Sequence, residues 1–307
     1  MSWIVFAIVA VIAIALEYFI DNYVTDVYYK GCEAPAQKCF FVLPQIIVGI
    51  LMLIIFRVDF TMAGPITFFA FLGSGFIISI ANVFFYKAFE FDDSTNVSIF
   101  VQLMPVFYLI FGWIFLNETI TPLQLVAFLM IFSASAMIVL ATRKKSRRIR
   151  MRAILYVIAF IVISVIGNII FVKINSDNLN FMVEIGLVFI GKSVGNAIIV
   201  LLKPKWRKRY RSVIKSSKKK VLVPLSLSFI ANVVSESTYR VVLVLAPSVA
   251  LASVVSDSAV PIVVFFMGIV LTLIWPKFGR EKLDRKSVMV HFVAIILVVV
   301  GVVLIQI

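Results

Sequence analysis

Seven ionisable residues stand inside long apolar runs of this chain: Glu17, Glu184, Lys192, Glu236, Arg240, Asp257 and His291. A charge in such surroundings needs a partner, a ligand or water, so each is a candidate for chemistry. Lys192 sits in IGKSVGN, between Gly191 and Gly195 and one turn before Asn196. A cation there suits the anionic group of a small molecule. The plainer reading is a buried ion pair that only fixes packing, with Glu184 a loose match eight residues earlier. Glu236 and Arg240 in SESTYR stand four apart with the acid first, the favourable order for a helical pair. They either neutralise one another or hold a substrate. Asn232 lies one turn before Glu236, and Asp257 one turn before Pro261, between Ser256 and Ser258. Gln102 precedes Pro105 at a similar depth, and Asn82 adds another buried polar candidate. Asp257 and Glu236 are the candidate proton carriers. Asp257 is the better one, because a neighbouring Arg240 would keep Glu236 ionised. Glu17 and His291 fit positions near a membrane surface.

Covalent and metal chemistry have no comparable support. The chain has no Walker A, G-x-S-x-G, H-E-x-x-H or Rossmann glycine pattern, and no TVGYG filter run. Its single histidine has no second histidine to pair with. Cys32 and Cys39 lie in CEAPAQKC, without the spacing of a zinc half-site. No enzyme, resident metal or cofactor is expected, nor ATP-driven transport by this chain alone.

The elements that must position these groups follow from composition. Hydrophobic residues make up 63% of the 307 and charged residues 14%, with a mean hydropathy of +1.11. An ordinary soluble domain is about 45–50% apolar and about 25% charged. A soluble enzyme, a DNA-binding domain and a disordered chain are excluded. The apolar residues fall into ten blocks, roughly 2–24, 40–56, 64–88, 96–116, 121–142, 153–172, 181–202, 221–245, 249–275 and 287–307. Each is near the ~20 residues a helix needs to cross a bilayer. The blocks are too long for barrel strands and lack alternation, so an all-α integral membrane fold is expected. The first block lacks a basic leader and reads as a span rather than a cleaved signal.

The charges then set an orientation. Loops on one side carry 25 of the 29 Lys and Arg, and the other side carries only Arg57 and Lys173. The positive-inside rule puts the basic side, including 143–152 and 203–220, in the cytoplasm and both termini outside. Anionic headgroups are the expected neighbours of these basic runs. A nucleic-acid partner is not expected.

A coarse repeat divides the chain. Tyr86-Lys87 ends the third block and is followed by Pro105 in the fourth; Tyr239-Arg240 in the eighth is followed by Pro261 in the ninth. This predicts two five-helix halves, 1–142 and 153–307, joined by a basic linker at 143–152. Five is odd, so the halves must be inverted, an arrangement typical of secondary transporters. A proline within a spanning helix bends it, which is the expected role of Pro105 and Pro261.

The run 84–141 resembles the EamA module of the drug/metabolite transporter superfamily. The resemblance rests on Tyr86-Lys87-Ala88, Ser98, Pro105-Val106-Phe107, Glu118-Thr119-Ile120-Thr121 and Gln124. Ala127 stands where the family favours glycine. The second half keeps Ala-Pro-Ser-Val-Ala and Pro261 but no clean Glu-x-x-Thr, with Glu281 nearby in a longer basic loop. The resemblance implies a ten-helix transporter of small metabolites, often an exporter, with cytoplasmic termini, opposite to the charge count.

The expected function is a secondary transporter moving a small polar or amphipathic metabolite by alternating access, as a monomer or homodimer. The expected site is a midplane cavity lined by Lys192, Asn196, Asn82, Gln102, Asn232, Glu236, Arg240 and Asp257. The alternative is a membrane scaffold or receptor that docks a cytoplasmic partner through the basic loops.

Overall fold

The computed structural model describes residues 3–28, 36, 38–57, 64–91, 97, 100–142, 150–175, 180–274 and 285–306. Cys32, Ser98, Glu281 and most of the 143–152 linker lie outside the described residues, as does the side chain of His291. The described residues form the helices α1 (Trp3–Tyr28), α2 (Lys38–Ile55), α3 (Pro65–Phe91), α4 (Met104–Leu116), α5 (Pro122–Thr142), α6 (Met151–Ile174), α7 (Phe181–Leu202), α8 (Pro204–Leu245), α9 (Val249–Ile274) and α10 (Arg285–Gln306).

Among the described residues, seven of these helices are long and apolar enough to span: parts or all of α1, α2, α3, α6, α7, α8 and α9. Three shorter apolar stretches lie in α4, α5 and α10. Large apolar side chains point outward, with Ile66 84%, Leu43 69% and Met289 68% exposed. Water would penalise so much exposed apolar surface, whereas lipid accepts it. The chain is a multi-pass membrane protein.

The fourth block departs from expectation. It is not one helix over 96–116, because α4 begins at Met104 with Pro105 in its first turn. There the missing N–H removes no helical bond. The chain turns immediately before it: the Leu103 N–H donates to Phe100 O at 3.0 Å, and the Val106 N–H to Leu103 O at 3.0 Å. Pro105 marks a helix start rather than a bend in mid-helix. Pro261 does lie inside a helix, α9, where its ring withholds the bond to the Asp257 carbonyl.

The chain forms two compact units. The first comprises Met1–Phe19, Asp93–Ile149 and Ala231–Ile307; the second comprises Ile20–Asp92 and Arg150–Ile230. Each draws on both sequence halves, so packing follows a different division from the proposed repeat. In the first unit, α9 packs on α4 and α5, and α10 packs on α5 and α9. Close approach there is permitted by Gly301, whose absent Cβ would meet Ile131 at 2.5 Å and the Ala127 carbonyl at 3.1 Å.

In the second unit, α3 packs on α6 and α7, and α2 packs on α7. Here backbone touches backbone. A Cβ on Gly191 would stand 2.0 Å from Leu72 O, and one on Gly75 would stand 2.1 Å from Val188 O. Without a hydrophobic drive between helices in lipid, such small-residue contacts supply the dispersion and close fit that hold helices together. Gly191 and Gly195 are the small pair of a G-x-x-x-G face, and Lys192 is carried on the same turn.

Candidate functional site

Helix termini show how local sequence aims the functional groups. Thr121 and Gln124 bond reciprocally: the Gln124 N–H donates to Thr121 Oγ1 at 3.2 Å, and the Thr121 N–H to Gln124 Oε1 at 3.0 Å. This capping box starts α5. The preceding Asn117 ends α4 at φ 55°, in the left-handed region that asparagine tolerates. That reversal turns Glu118 toward the start of α9, where the Val249 N–H donates to both carboxylate oxygens at 3.1 and 3.0 Å. The positive end of the α9 dipole offsets part of the cost of an anion there. Burial raises the Glu118 pKa, and the bond from Val249 opposes that rise. The Glu-x-x-Thr pattern is therefore an architectural clasp between two helices of the first unit.

The first unit also holds a polar cluster on α1, α4, α8 and α9. Asn232 Nδ2 donates to Glu17 Oε1 at 3.0 Å, and Ser235 Oγ to Glu17 Oε2 at 3.3 Å. Arg240, 1% exposed, pairs with Glu236 at 3.3 Å, as the i, i+4 spacing predicts. One residue before Arg240, Tyr239 donates its hydroxyl to Asp257 Oδ2 at 3.2 Å. Ser253 Oγ donates to the same oxygen, and Tyr108 shares a hydrogen bond with Tyr239. Gln102, at the break before α4, accepts from Ser135 Oγ. The first unit thus carries the carboxylates Glu17, Glu236 and Asp257 and the guanidinium of Arg240, which Glu236 pairs.

Four buried polar atoms of this unit have no hydrogen-bond partner among the described residues: Asn232 Oδ1, Ser237 Oγ, Ser256 Oγ and Ser258 Oγ. They lie on α8 and α9, the helices that carry Glu236, Arg240 and Asp257. Buried polar atoms are nearly always satisfied, so such a group marks a place for water, an ion or a ligand.

The second unit holds a different cluster. Asn196 Nδ2 donates to Gln45 Oε1 at 2.8 Å, and Ser79 Oγ donates to Asn196 Oδ1 at 3.3 Å. Ser193 Oγ donates to Val42 O at 2.7 Å. Lys192 is 3% exposed beside them on α7. Asn82 is half-buried on α3. Glu184 is fully buried in the first turn of α7 and accepts from Asn175 Nδ2.

The sequence candidates therefore divide between the units. Lys192, Asn196 and Asn82 belong to the second; Gln102, Asn232, Glu236, Arg240 and Asp257 belong to the first. Sequence reasoning missed Gln45, Tyr108, Ser253 and the clasp made by Glu118. Gln45 and Ser253 carried a signal, as polar side chains in apolar runs. Tyr108 did not, because its ring is ordinary in such a run.

Residues 1–140 match the EamA-like transporter family. A solved crystal structure superposes with a TM-score of 0.62, over 97% of this chain and 96% of that one, at 14% identity. At that identity the likeness concerns the fold alone. No curated protein matches this sequence. The family's members are transporters rather than enzymes, and the match covers the helices that carry the Glu118 clasp and the break before Pro105. Residues 1–140, a little under half of the chain, are thus similar to the EamA-like transporter family.

Proposed function

We propose that this protein is a proton-coupled secondary transporter that exports a small polar or amphipathic metabolite by alternating access. The observation that carries this reading is the four unpartnered buried polar atoms on α8 and α9, the helices that carry Glu236, Arg240 and Asp257. They give water or substrate polar contacts where apolar packing would otherwise be expected. Asp257 is the proton carrier. It accepts two hydroxyl bonds on one oxygen, whereas Glu236 is tied to Arg240. In the second unit, Lys192 is the candidate for an anionic substrate group, with Asn196 one turn on and Asn82 on α3; in the first unit, Gln102 and Asn232 are the neutral polar candidates.

Helix pairing favours the inverted-repeat reading. α2 packs with α7, α4 with α9, and α5 with α10. In each pair the partners hold the same ordinal place in the two proposed five-helix halves, as an axis relating the halves would require. The charge asymmetry favours cytoplasmic placement of 143–152 and 203–220.

The test is uptake of a panel of radiolabelled small metabolites into proteoliposomes, with and without an imposed pH gradient. A transported compound should accumulate more with the gradient. Asp257→Asn should lose that gradient dependence while retaining substrate exchange. Lys192→Met should weaken apparent affinity for an anionic substrate at least about tenfold, the loss of one charge-assisted contact. Flux indifferent to the gradient, or an unchanged Asp257→Asn variant, would refute the coupling. Unchanged affinity in Lys192→Met would make Lys192 a packing charge.

A further inference from the structure

The helix α8 is 42 residues long, Pro204–Leu245, but only Lys220–Leu245 is apolar enough to span. The preceding span in α7 ends at Leu202, and α8 begins two residues later. Both ends of the segment 204–219 are therefore pinned at the level of one membrane surface. At 1.5 Å per residue its 16 residues cover about 24 Å. A straight helix whose two ends stand at one height runs along the surface, not away from it.

Pro224 gives the helix a place to change direction between this segment and the span. Pro224 lies inside α8, and its ring withholds the usual bond to the Lys220 carbonyl and bends the helix. That carbonyl instead accepts from the Tyr28 hydroxyl at 3.1 Å. Arg209 Nη2 donates in turn to Tyr28 O at 3.0 Å. The end of α1 thus ties down the segment at two points.

The segment has two faces. Trp206, Tyr210, Val213 and Ile214 pack into a cluster with Val24, Ala36, Val221 and Leu225. Lys205, Lys208, Arg211 and Lys215 are exposed on the opposite face. At 100° per residue these four, with Ser212 among them, fall within an arc of about 120°. The apolar face is already covered by the protein's own α1–α2 region, so this helix cannot insert as a free amphipathic peptide does. What it offers outward is charge.

We propose that the 204–219 segment of α8 is a surface-lying helix that binds the anionic phospholipid headgroups around the protein through Lys205, Lys208, Arg211 and Lys215. Its pinned ends hold the stripe at headgroup level, where a polybasic surface is attracted to anionic lipid over about one Debye length. The binding is electrostatic and selects for charge rather than for one headgroup.

The test uses the full-length protein in mild detergent, mixed with equal amounts of phosphatidylglycerol and phosphatidylcholine, with retained lipid counted by native mass spectrometry. The wild type should retain the anionic lipid in preference by at least about tenfold, since each basic residue near the surface contributes up to about fivefold. The variant carrying Lys205→Gln, Lys208→Gln, Arg211→Gln and Lys215→Gln should fall to near equal retention, as should the wild type in about 0.5 M salt. Glutamine keeps helix propensity, and Arg209 is left in place to preserve its bond to Tyr28. Lys173→Gln, an exposed charge at the end of α6, should change nothing. If the fourfold variant does not fold, the salt titration of the wild type decides. Equal retention by the wild type, or a preference that survives both the substitutions and the salt, overturns the proposal. So does binding of heparin with no lipid preference, which would make the partner a soluble polyanion.

Discussion

Gly191→Ala tests whether α3 and α7 are held by backbone contact. A Cβ at Gly191 would stand 2.0 Å from Leu72 O, where ordinary contact begins at 3.4 Å, a shortfall of about 1.4 Å. The obstructing atoms are the Leu72 carbonyl, its carbon at 2.9 Å and its Cα at 3.1 Å, all backbone. No side chain can swing away, so the two helices must part. Overpacking of this kind costs about 1–3 kcal/mol, set against a helix-propensity gain of about 1 kcal/mol for replacing glycine with alanine. The net expectation is destabilisation of up to about 2 kcal/mol. Gly73→Ala is the internal comparison. A Cβ there meets nothing within 4 Å, so the propensity gain stands alone and the variant should be stabilised by up to about 1 kcal/mol. The assay is thermal loss of the monodisperse species in detergent, read for both variants beside the wild type. Opposite signs are expected. If Gly191→Ala is as stable as Gly73→Ala, the close approach of α3 and α7 is wrong.

Two further outcomes follow from named contacts. Glu118→Ala removes the acceptor for Val249 N–H and should cost about 1 kcal/mol, as loss of a helix cap does, while Glu118→Gln keeps an acceptor and should cost less. The Glu118 pKa is raised in the fold, so the unfolded chain releases this proton first and stability falls as pH rises from the ordinary carboxylate range through the raised one. Melting scans of wild type and Glu118→Gln across that range should show the wild type losing ground; a constant difference would refute the assignment. Asn196→Ala leaves Gln45 Oε1 and Ser79 Oγ without their bonds and should destabilise the protein by about 1–3 kcal/mol. The double change Asn196→Ala with Gln45→Leu should recover part of that loss, and additive losses would show that the pair is not coupled.

The membrane class, the apolar blocks and the polar candidates could be read from the chain because each rests on one-dimensional arithmetic. Transfer cost sums along a segment, so a stretch that is apolar throughout declares itself without knowledge of its neighbours. The same cost singles out Lys192, Asn196, Arg240 and Asp257 as polar groups that need compensation. The i, i+4 spacing even named one pair, Glu236 with Arg240, because both partners share a helix.

Partners on different helices were another matter. The bonds of Asn196 to Gln45, of Glu17 to Asn232, and of Asp257 to Tyr239 depend on how each helix is rotated about its axis, and residue spacing holds no record of that. Helix boundaries behaved in the same way at Pro105. Apolar content continued through 96–116, but α4 begins at Met104 because a proline is tolerated best where its missing N–H has no helical partner. The division into two compact units was not legible either. Sequence order suggested halves at 1–142 and 153–307, whereas packing gathers α2 and α3 with α6 and α7, and α4 and α5 with α9 and α10. The sequence determined which segments enter the lipid and which side chains cannot be left alone there, since both are properties of a residue and its solvent. Only the tertiary structure decided who answers each of those side chains, because that depends on close contacts between helices that glycines such as Gly75 and Gly191 permit.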